Sequence, residues 1–270
     1  MWKYAAAGAL AAVTLLLAVG LNAGLHRYGD LSVMALDVGQ GESVALYTRE
    51  QAVLVDCGSS NGYISAGARA ADQLESIGIH RLSAVAVTHY HADHTNGLEE
   101  LLARMPVERL LLPAIDSESH GRLFDTVRRY PDHCTPMMGL HPTSINDNPR
   151  WREELALVER YLCSPPEGVG RFCAVGEIGL DYYWDDRFKA EQLEAFTKQC
   201  RLAATYDLPV AIHTRAAWKD MCRTVETETK AAREKGLRLR GVFHAFAEDA
   251  DTYRPVSYTH LRAHETGRNL

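Results

Sequence analysis

The chain has 270 residues, 46% of them apolar, which suits one large domain or two modest ones and excludes a disordered chain. Its formal net charge of −6 provides no excess of positive charge for a phosphate backbone, so any contact with nucleic acid has to be local and assisted by metal ions. The six cysteines are scattered without a C-x-x-C pair, which argues against a zinc ribbon and favours reduced, buried thiols.

The first feature along the chain is an uncharged run over residues 4–25, with Lys3 before it and His26-Arg27 after it. Its length is about that of a helix that crosses the hydrocarbon core of a bilayer. A cleaved signal peptide is the competing interpretation, but the run is long for one and lacks an A-x-A cleavage site at its end. We predict a single transmembrane segment over residues 1–27 and a membrane location; the alternative is a cytoplasmic chain, if this segment is not genuine.

Three buried strands are predicted next, over residues 31–37, 52–56 and 82–87. Each of the first two ends in an acid and a glycine-containing turn. Between the second and third strands, apolar residues at helical spacing predict a helix with one buried face, formed by Ala68, Ala71, Leu74 and Ile77. The third strand leads directly into a group of histidines.

This group consists of His89, His91, Asp93 and His94. So many imidazoles are rare in a solvated loop and would lack partners in an apolar core, so the pattern indicates a metal site. Side chains alternate along an extended segment, so His89 and His91 can face one metal ion, while Asp93 and His94 at the following turn serve a second. Asp93 is also a candidate catalytic residue.

The motif H-x-H-x-D-H, together with L-D-V-G-Q-G-E-S from Leu36 and L-V-D-C-G from Leu54, resembles the metallo-β-lactamase superfamily. The L-D-V-G-Q-G motif most resembles the hydrolase domain of the ComEC family of competence membrane proteins. The match covers about residues 31–113. This resemblance implies a two-metal hydrolase, usually with zinc, that acts on phosphodiesters of incoming DNA. The family's later histidine and aspartate ligands have no counterpart after Pro113, so this metal site is predicted to be incomplete.

From Ser119 onward, amphipathic helices alternate with apolar strands. Helices are predicted over residues 151–162, 189–206 and 217–235. Residues able to bind a metal recur at strand ends at separations of 36, 36 and 31 residues, namely His141, Glu177, His213 and His244. Because the carboxyl ends of parallel strands share one edge, these four residues are predicted to converge.

The same strand ends carry a second resemblance, to the TatD family of metal-dependent deoxyribonucleases. Its motifs are M-G-L-H-P ending at Pro142, V-G-E-I-G-L-D-Y-Y from Val175, V-A-I-H-T-R from Val210 and V-F-H-A-F from Val242. The match covers about residues 114–249 and implies a barrel that binds a pair of magnesium, manganese or zinc ions and hydrolyses DNA with a metal-activated water. On this pattern Glu177 bridges the metals and is a catalytic candidate, while His213 and His244 hold one metal. The family's opening H-x-H and its late aspartate have no counterpart.

The two resemblances meet after Pro113 without a linker, so the chain is predicted to be a chimera of two partial hydrolases. Residues 256–266 fit neither family and resemble the translated reading frame of a transposase-type sequencing adapter. We therefore predict that residues 250–270 are an unstructured tail of artefactual origin and that His260 and His264 are not ligands.

The predicted fold class is α/β: one transmembrane helix, a partial metallo-β-lactamase αββα half over residues 31–113, and a partial TIM-type (β/α) barrel over residues 114–249. The predicted function is that of a TatD-type hydrolase with DNA as substrate and no inferred protein partner, inactive as it stands. The alternatives are a ComEC-like fragment, or a membrane-tethered metal-binding protein without catalytic activity.

Overall fold

The computed structural model describes residues 31–88, 90–183, 185–246 and 260–265, the last range and residues 244–246 by their backbone alone. The chain divides into two compact units between Leu110 and Leu111. Each unit is described by itself.

The first unit contains four strands in the order β1-β2-β3-β4. Its elements are β1 (Ser32–Ala35), β2 (Val44–Tyr47), β3 (Ala52–Val55), α1 (Ala66–Ser76), β4 (Ala84–Ala86), α2 (Ala92–Thr95) and α3 (Leu98–Arg104), and β5 (Leu110–Leu112) contains the division between the units. Strands β1 to β3 pair antiparallel, whereas β3 and β4 pair parallel. The carboxyl ends of β3 and β4 therefore lie at the same edge of the sheet, where Asp56 and the segment after Val87 follow them.

The core of the first unit confirms the predicted strands and the predicted helix. Leu54 of β3, Leu74 of α1 and Leu101 of α3 are fully buried in one apolar cluster. Strand β2 was not predicted from the sequence. Three of its four residues are buried, so it lacks the alternation of apolar and polar residues that marks a strand.

The second unit alternates helices and strands, as predicted. Its elements are α4 (Ser117–Arg129), β6 (Cys134–Pro136), a 3-10 helix (Pro142–Ser144), α5 (Trp151–Cys163), β7 (Val175–Asp181), α6 (Lys189–Thr205), β8 (Val210–Arg215), α7 (Trp218–Glu234), β9 (Arg240–Phe246) and β10 (His260–Glu265). Strands β7, β8, β9 and β10 form a parallel sheet in that order. The carboxyl ends of these strands accordingly share one edge.

Strands β7 and β8 approach closely at one glycine. Gly179 pairs with His213, and a Cβ atom on Gly179 would lie 1.9 Å from the carbonyl oxygen of His213. Its φ of +150° is also one that residues with side chains rarely adopt. Glycine at this position therefore sets the register in which Asp181 pairs with Arg215 at the end of the two strands.

The structure corrects the prediction for the C-terminal segment. Residues 250–270 were expected to lack regular structure, but residues 260–265 form β10, which pairs parallel with β9. The edge of a sheet presents unpaired N–H and C=O groups to any extended segment, whatever its side-chain pattern. Backbone pairing of this kind leaves no periodicity in the sequence.

The predicted fold class and membrane location also need correction. No helix in the described part of the chain combines the length and the apolar character needed to cross a membrane. The segment predicted to do so, residues 4–25, lies outside the described residues. What the described residues form is a mixed α/β fold.

Candidate metal centre

Three side chains of the second unit converge at the carboxyl edge of its strands. His141 precedes the 3-10 helix, Glu177 is the third residue of β7, and His213 is the fourth residue of β8. Each offers a ligand atom, and these atoms all lie within 4.8 Å of one another. His141 was among the four strand-end residues predicted to converge, and the structure brings it together with Glu177 and His213.

The spacing of these atoms suits a shared metal ion better than direct hydrogen bonds. The Nε2 atom of His141 lies 3.6 Å from Oε2 of Glu177, and Nδ1 of His213 lies 3.8 Å from Oε1. Both distances are too long for a hydrogen bond. Ligand atoms about 2.1 Å from one tetrahedral zinc ion lie about 3.4 Å apart, so small movements would fit these donors around an ion. Glu177 is 1% exposed, so its charge is buried between the two imidazoles.

Asp181 holds the His213 ring from the other side. Its Oδ2 atom lies 2.9 Å from Nε2 of His213, and its carboxylate is almost fully buried. Burial alone would raise the pKa of Asp181, but the hydrogen bond and charge of His213, with help from Tyr183 N–H and Arg215, hold that pKa below its ordinary value. An ionised Asp181 accepts a hydrogen bond from Nε2–H of His213, and in the neutral ring this leaves the Nδ1 lone pair directed towards Glu177. A carboxylate that fixes the tautomer of a histidine ligand is a common feature of metal sites.

Thr143 occupies the corresponding position beside His141. Its backbone N–H donates to Nδ1 of His141 at 3.3 Å, and its hydroxyl oxygen lies 2.7 Å from the same atom. Because Nδ1 accepts from this N–H, the proton of a neutral His141 ring lies on Nε2, and metal binding at Nε2 would require the other tautomer, in which Nδ1–H donates to the Thr143 hydroxyl. The 3-10 helix therefore provides the group that orients His141.

His244, the other predicted ligand of this unit, lies on β9 as the backbone partner of His213 on β8. This pairing places it on the neighbouring strand of the same sheet. Its side chain lies outside the described part of the chain, so its role as a ligand stays a prediction.

The first unit has a different polar centre, built around Asp56. This carboxylate is fully buried, and its Oδ1 accepts a 2.8 Å hydrogen bond from the backbone N–H of Thr88. Its Oδ2 accepts from the Thr88 hydroxyl at 2.6 Å and lies 2.7 Å from Nδ1 of His94. Burial opposes charging of His94, but the hydrogen bond and charge of Asp56, with Glu42 and Asp93, raise its pKa above the ordinary value. Asp56 therefore connects the end of β3 to the predicted histidine motif.

The backbones of these two segments also touch. The N–H of Cys57 donates to the carbonyl oxygen of His94 at 2.9 Å. A Cβ atom on Gly58 would lie 2.5 Å from the backbone of Asp93 and His94, so only glycine permits this approach. The sequence indicated an acid and a turn after β3 but not their contact with the motif, which depends on the parallel pairing of β3 with β4.

The predicted ligands of the first unit are only partly gathered. His91 immediately precedes helix α2, Asp93 lies within it, and Asp93 Oδ2 is 3.7 Å from Nε2 of His94. His89 is not among the described residues. Within the described ranges, the only group of three or more potential metal ligands is that of His141, Glu177 and His213. Metal binding by His89, His91, Asp93 and His94 thus stays a prediction.

Two family models match the chain. The model described as TatD related DNase matches residues 85–261, and the model described as Anti-Pycsar protein Apyc1 matches residues 33–110. The TatD match contains the predicted range of 114–249 and extends beyond it at both ends.

Curated relatives agree with the first of these models. The chain is 29% identical over 177 residues to the uncharacterized metal-dependent hydrolase YabD of Bacillus subtilis, covering 62% of each chain. It is 37% identical over 134 residues to the 3'-5' ssDNA/RNA exonuclease TatD of Cronobacter turicensis, covering 48% of this chain and 47% of the relative. The crystal structure of the TatD homologue YjjV from Escherichia coli matches with a TM-score of 0.49 and 25% identity, over 58% of this chain and 56% of that one.

The chain spans between about half and three fifths of the length of the curated relatives described above. The TatD model nevertheless covers more than half of this chain and includes all three residues of the cluster. The predicted resemblance to this family is confirmed. The chain belongs to the TatD related DNase family of metal-dependent hydrolases.

Proposed function

We propose that the second unit is the metal- and substrate-binding part of a hydrolase that acts on phosphodiesters of single-stranded nucleic acid. The observation that carries this proposal is the buried Glu177 carboxylate between two imidazole nitrogens at 3.6 and 3.8 Å. A divalent ion held by these groups would act as a Lewis acid and would activate water for attack on a phosphodiester. The relative from Cronobacter turicensis carries the name of a single-strand DNA and RNA exonuclease, which motivates the choice of substrate.

The residues of the chain have distinct roles in this proposal. Glu177 provides the negative charge that attracts the cation into a site from which water is largely excluded. Asp181 holds His213 in the tautomer that leaves a lone pair on Nδ1 for the metal, and Thr143 fixes the orientation of the His141 ring. Zinc, magnesium and manganese are all candidates, and two histidine ligands favour zinc over magnesium and manganese.

A cation and an aromatic ring lie at the same edge as this cluster. The guanidinium carbon of Arg215 is 3.9 Å from the centre of the Tyr183 ring, and that ring is 59% exposed. Arg215 pairs across the strands with Asp181, which in turn contacts His213. We propose that Arg215 binds a backbone phosphate and that Tyr183 holds its guanidinium and offers a surface for a base, as in other proteins that bind single strands.

Arg215→Gln is expected to weaken binding of a labelled single-stranded oligonucleotide about tenfold. It should also make the slope of log K against log salt less steep by about 0.7, because one phosphate contact is lost. Fluorescence anisotropy across a salt series measures both quantities. Arg233→Gln, at an exposed site on α7, is the matched control and should leave both nearly unchanged. An equal loss of oligonucleotide affinity in the two variants would mean that Arg215 contributes only to the net charge of the chain and does not contact a phosphate.

We further propose that turnover by the chain as it stands is at background level. The two resemblances leave each parent site without several of its family's ligands, and a catalytic site needs its full ligand set to position metal, water and substrate. Cleavage of the oligonucleotide in zinc, magnesium or manganese should therefore be no faster than with Glu177→Gln. Metal-dependent cleavage that disappears in Glu177→Gln would instead show a competent site.

The first unit is a second candidate for metal binding, with zinc as its ion and DNA as its substrate class. The favouring observation is that Asp56 lies 2.7 Å from Nδ1 of His94, so Nε2, which lies 3.7 Å from Oδ2 of Asp93, is the ring nitrogen that would bind an ion. We propose that the chain joins parts of two hydrolases near residue 113, in keeping with the different family model over residues 33–110. Sequencing reads across codons 112–116 check this: continuous coverage from one genome would remove the proposal of a chimera.

A further inference from the structure

Helix α6 carries two glutamines that are almost completely buried. Gln192 and Gln199 are 0% and 1% exposed. They are seven residues apart, so they lie on the same face of the helix, about 10 Å from each other along its axis. Buried glutamine amides require partners for both their oxygen and their nitrogen, and these two amides find them on the backbone.

Gln199 binds the backbone of the residue before His141. Its Oε1 accepts from the N–H of Leu140 at 2.7 Å, and its Nε2 donates to the carbonyl oxygen of Leu140 at 3.1 Å. Leu140 lies beyond the end of β6, outside any ladder of strand hydrogen bonds. The glutamine side chain thus takes the place of a neighbouring strand and fixes the backbone from which His141 projects.

Gln192 binds the backbone of Asp181 in the same way. Its Oε1 accepts from the N–H of Asp181 at 2.8 Å, and its Nε2 donates to the carbonyl oxygen of Asp181 at 2.9 Å. The same Nε2 also lies 2.9 Å from Oδ1 of Asn146, which follows the 3-10 helix. One amide therefore connects the end of β7 to the loop that carries His141.

We propose that Gln192 and Gln199 are positioning residues of the metal centre, Gln199 acting through Leu140 on His141 and Gln192 acting through Asp181 on His213. This inference rests on the proposed metal-binding role of His141, Glu177 and His213. An amide is needed because it accepts and donates at once, whereas a side chain of similar size without hydrogen-bonding groups leaves a buried N–H and C=O without partners. The strand end would then shift, and the histidine with it.

The first unit contains a comparable contact that serves as an internal control. Gln73 of α1 accepts from the N–H of Asp37 at 2.8 Å and donates to its carbonyl oxygen at 3.1 Å. The geometry is the same as for Gln192 and Gln199. The residue whose backbone is bound, Asp37, belongs to the first unit and is exposed. Removing this amide should therefore affect the local backbone without affecting the cluster of the second unit.

The test is a zinc titration of the full chain by calorimetry, in a His91→Asn/Asp93→Asn background that removes donors of the first unit. Gln192→Met and Gln199→Met are each expected to weaken zinc binding 10- to 100-fold, the usual effect of losing a group that orients a ligand. Cobalt titrations should show a shifted or weakened visible absorption band, because the coordination geometry changes. Gln73→Met should bind zinc and cobalt like the parent chain.

Two further variants separate positioning from stability. Val225→Ala removes buried volume from α7 and should lower the melting temperature without weakening zinc binding to the folded chain. Gln199→Asn keeps an amide that both accepts and donates but is one methylene shorter, so it should fold even if the methionine variant does not, and should bind zinc with intermediate affinity. Parent-like affinity and cobalt spectra in the glutamine variants would overturn the positioning role while leaving the metal centre intact. A parent chain that binds no zinc would overturn both.

Discussion

Glu177→Gln is expected to abolish metal binding by the second unit, lowering its affinity by more than about 100-fold. Loss of a group that only orients a ligand already costs 10- to 100-fold. Glu177 is a proposed ligand and carries the only carboxylate among the three residues of the cluster. Glutamine has nearly the same shape, so the two histidines should stay in place. The effect should therefore come from the charge and not from a disturbed fold.

Thermal or chemical unfolding measures this result without any need for catalysis. Metal at 100 times its dissociation constant stabilises a protein that binds it by about 2.7 kcal/mol, and the variant should lose that gain. Without metal, Glu177→Gln should be at least as stable as the parent, because it removes a buried charge. Glu226→Gln, at an exposed site on α7, should keep the full stabilisation. Persistent stabilisation in Glu177→Gln would place the ion elsewhere.

Asp56→Ala is expected to lower the free energy of unfolding of the first unit by about 3 kcal/mol or more, as for the loss of one partner of a buried ionic network. The substitution leaves the Thr88 N–H, the Thr88 hydroxyl and Nδ1 of His94 without the acceptor they share. It also releases the end of β3 from the segment that follows β4. Asp56 itself has a φ of +57°, which alanine tolerates less well than aspartate does.

Amide hydrogen exchange tests whether the loss of stability is confined to the first unit. Amides of β3 and β4 should lose protection in Asp56→Ala, while those of β7 and β8 keep it. The matched control is Asp72→Ala, which removes an exposed carboxylate paired with Arg104 and should cost no more than about 1 kcal/mol. A loss of similar size in both variants would show that Asp56 does not organise this unit.

The sequence predicted the elements in which apolar residues recur with a regular helical period. Helices α5, α6 and α7 begin and end within two residues of their predicted bounds, because each has a regular apolar face. Strands β7 to β9 were located by the residues at their ends. Strands β2 and β10 were missed, the first because it is short and buried on both sides, the second because it joins the sheet through its backbone.

The site was predicted in outline, and its supporting groups were not. The rule that the ends of parallel strands converge was enough to predict that Glu177 and His213 lie close to His141, as the structure shows. Asp181, Gln192 and Gln199 could not be recognised in this way, because their roles depend on contacts across the sheet and helix. One signal was present: Asp181 lies four residues after Glu177, and this even separation predicts that both side chains lie on the same face of the strand.

The prediction of a transmembrane helix shows the limit of composition as a guide. An uncharged run of adequate length is compatible with a span, with a leader or with a buried helix, and hydropathy alone does not separate them. The described residues contain no helix that could cross a membrane. The proposed activity of the second unit depends on its strand ends and not on any membrane segment.

The most direct test of the metal centre is anomalous X-ray scattering from crystals of the full chain grown with zinc. We expect a peak within about 2.0–2.2 Å of His141 Nε2, His213 Nδ1 and a Glu177 carboxylate oxygen, the usual zinc–ligand distances. The peak should be absent in Glu177→Gln. A fully occupied zinc ion bound only in the first unit, with His141, Glu177 and His213 left without one, would contradict the account.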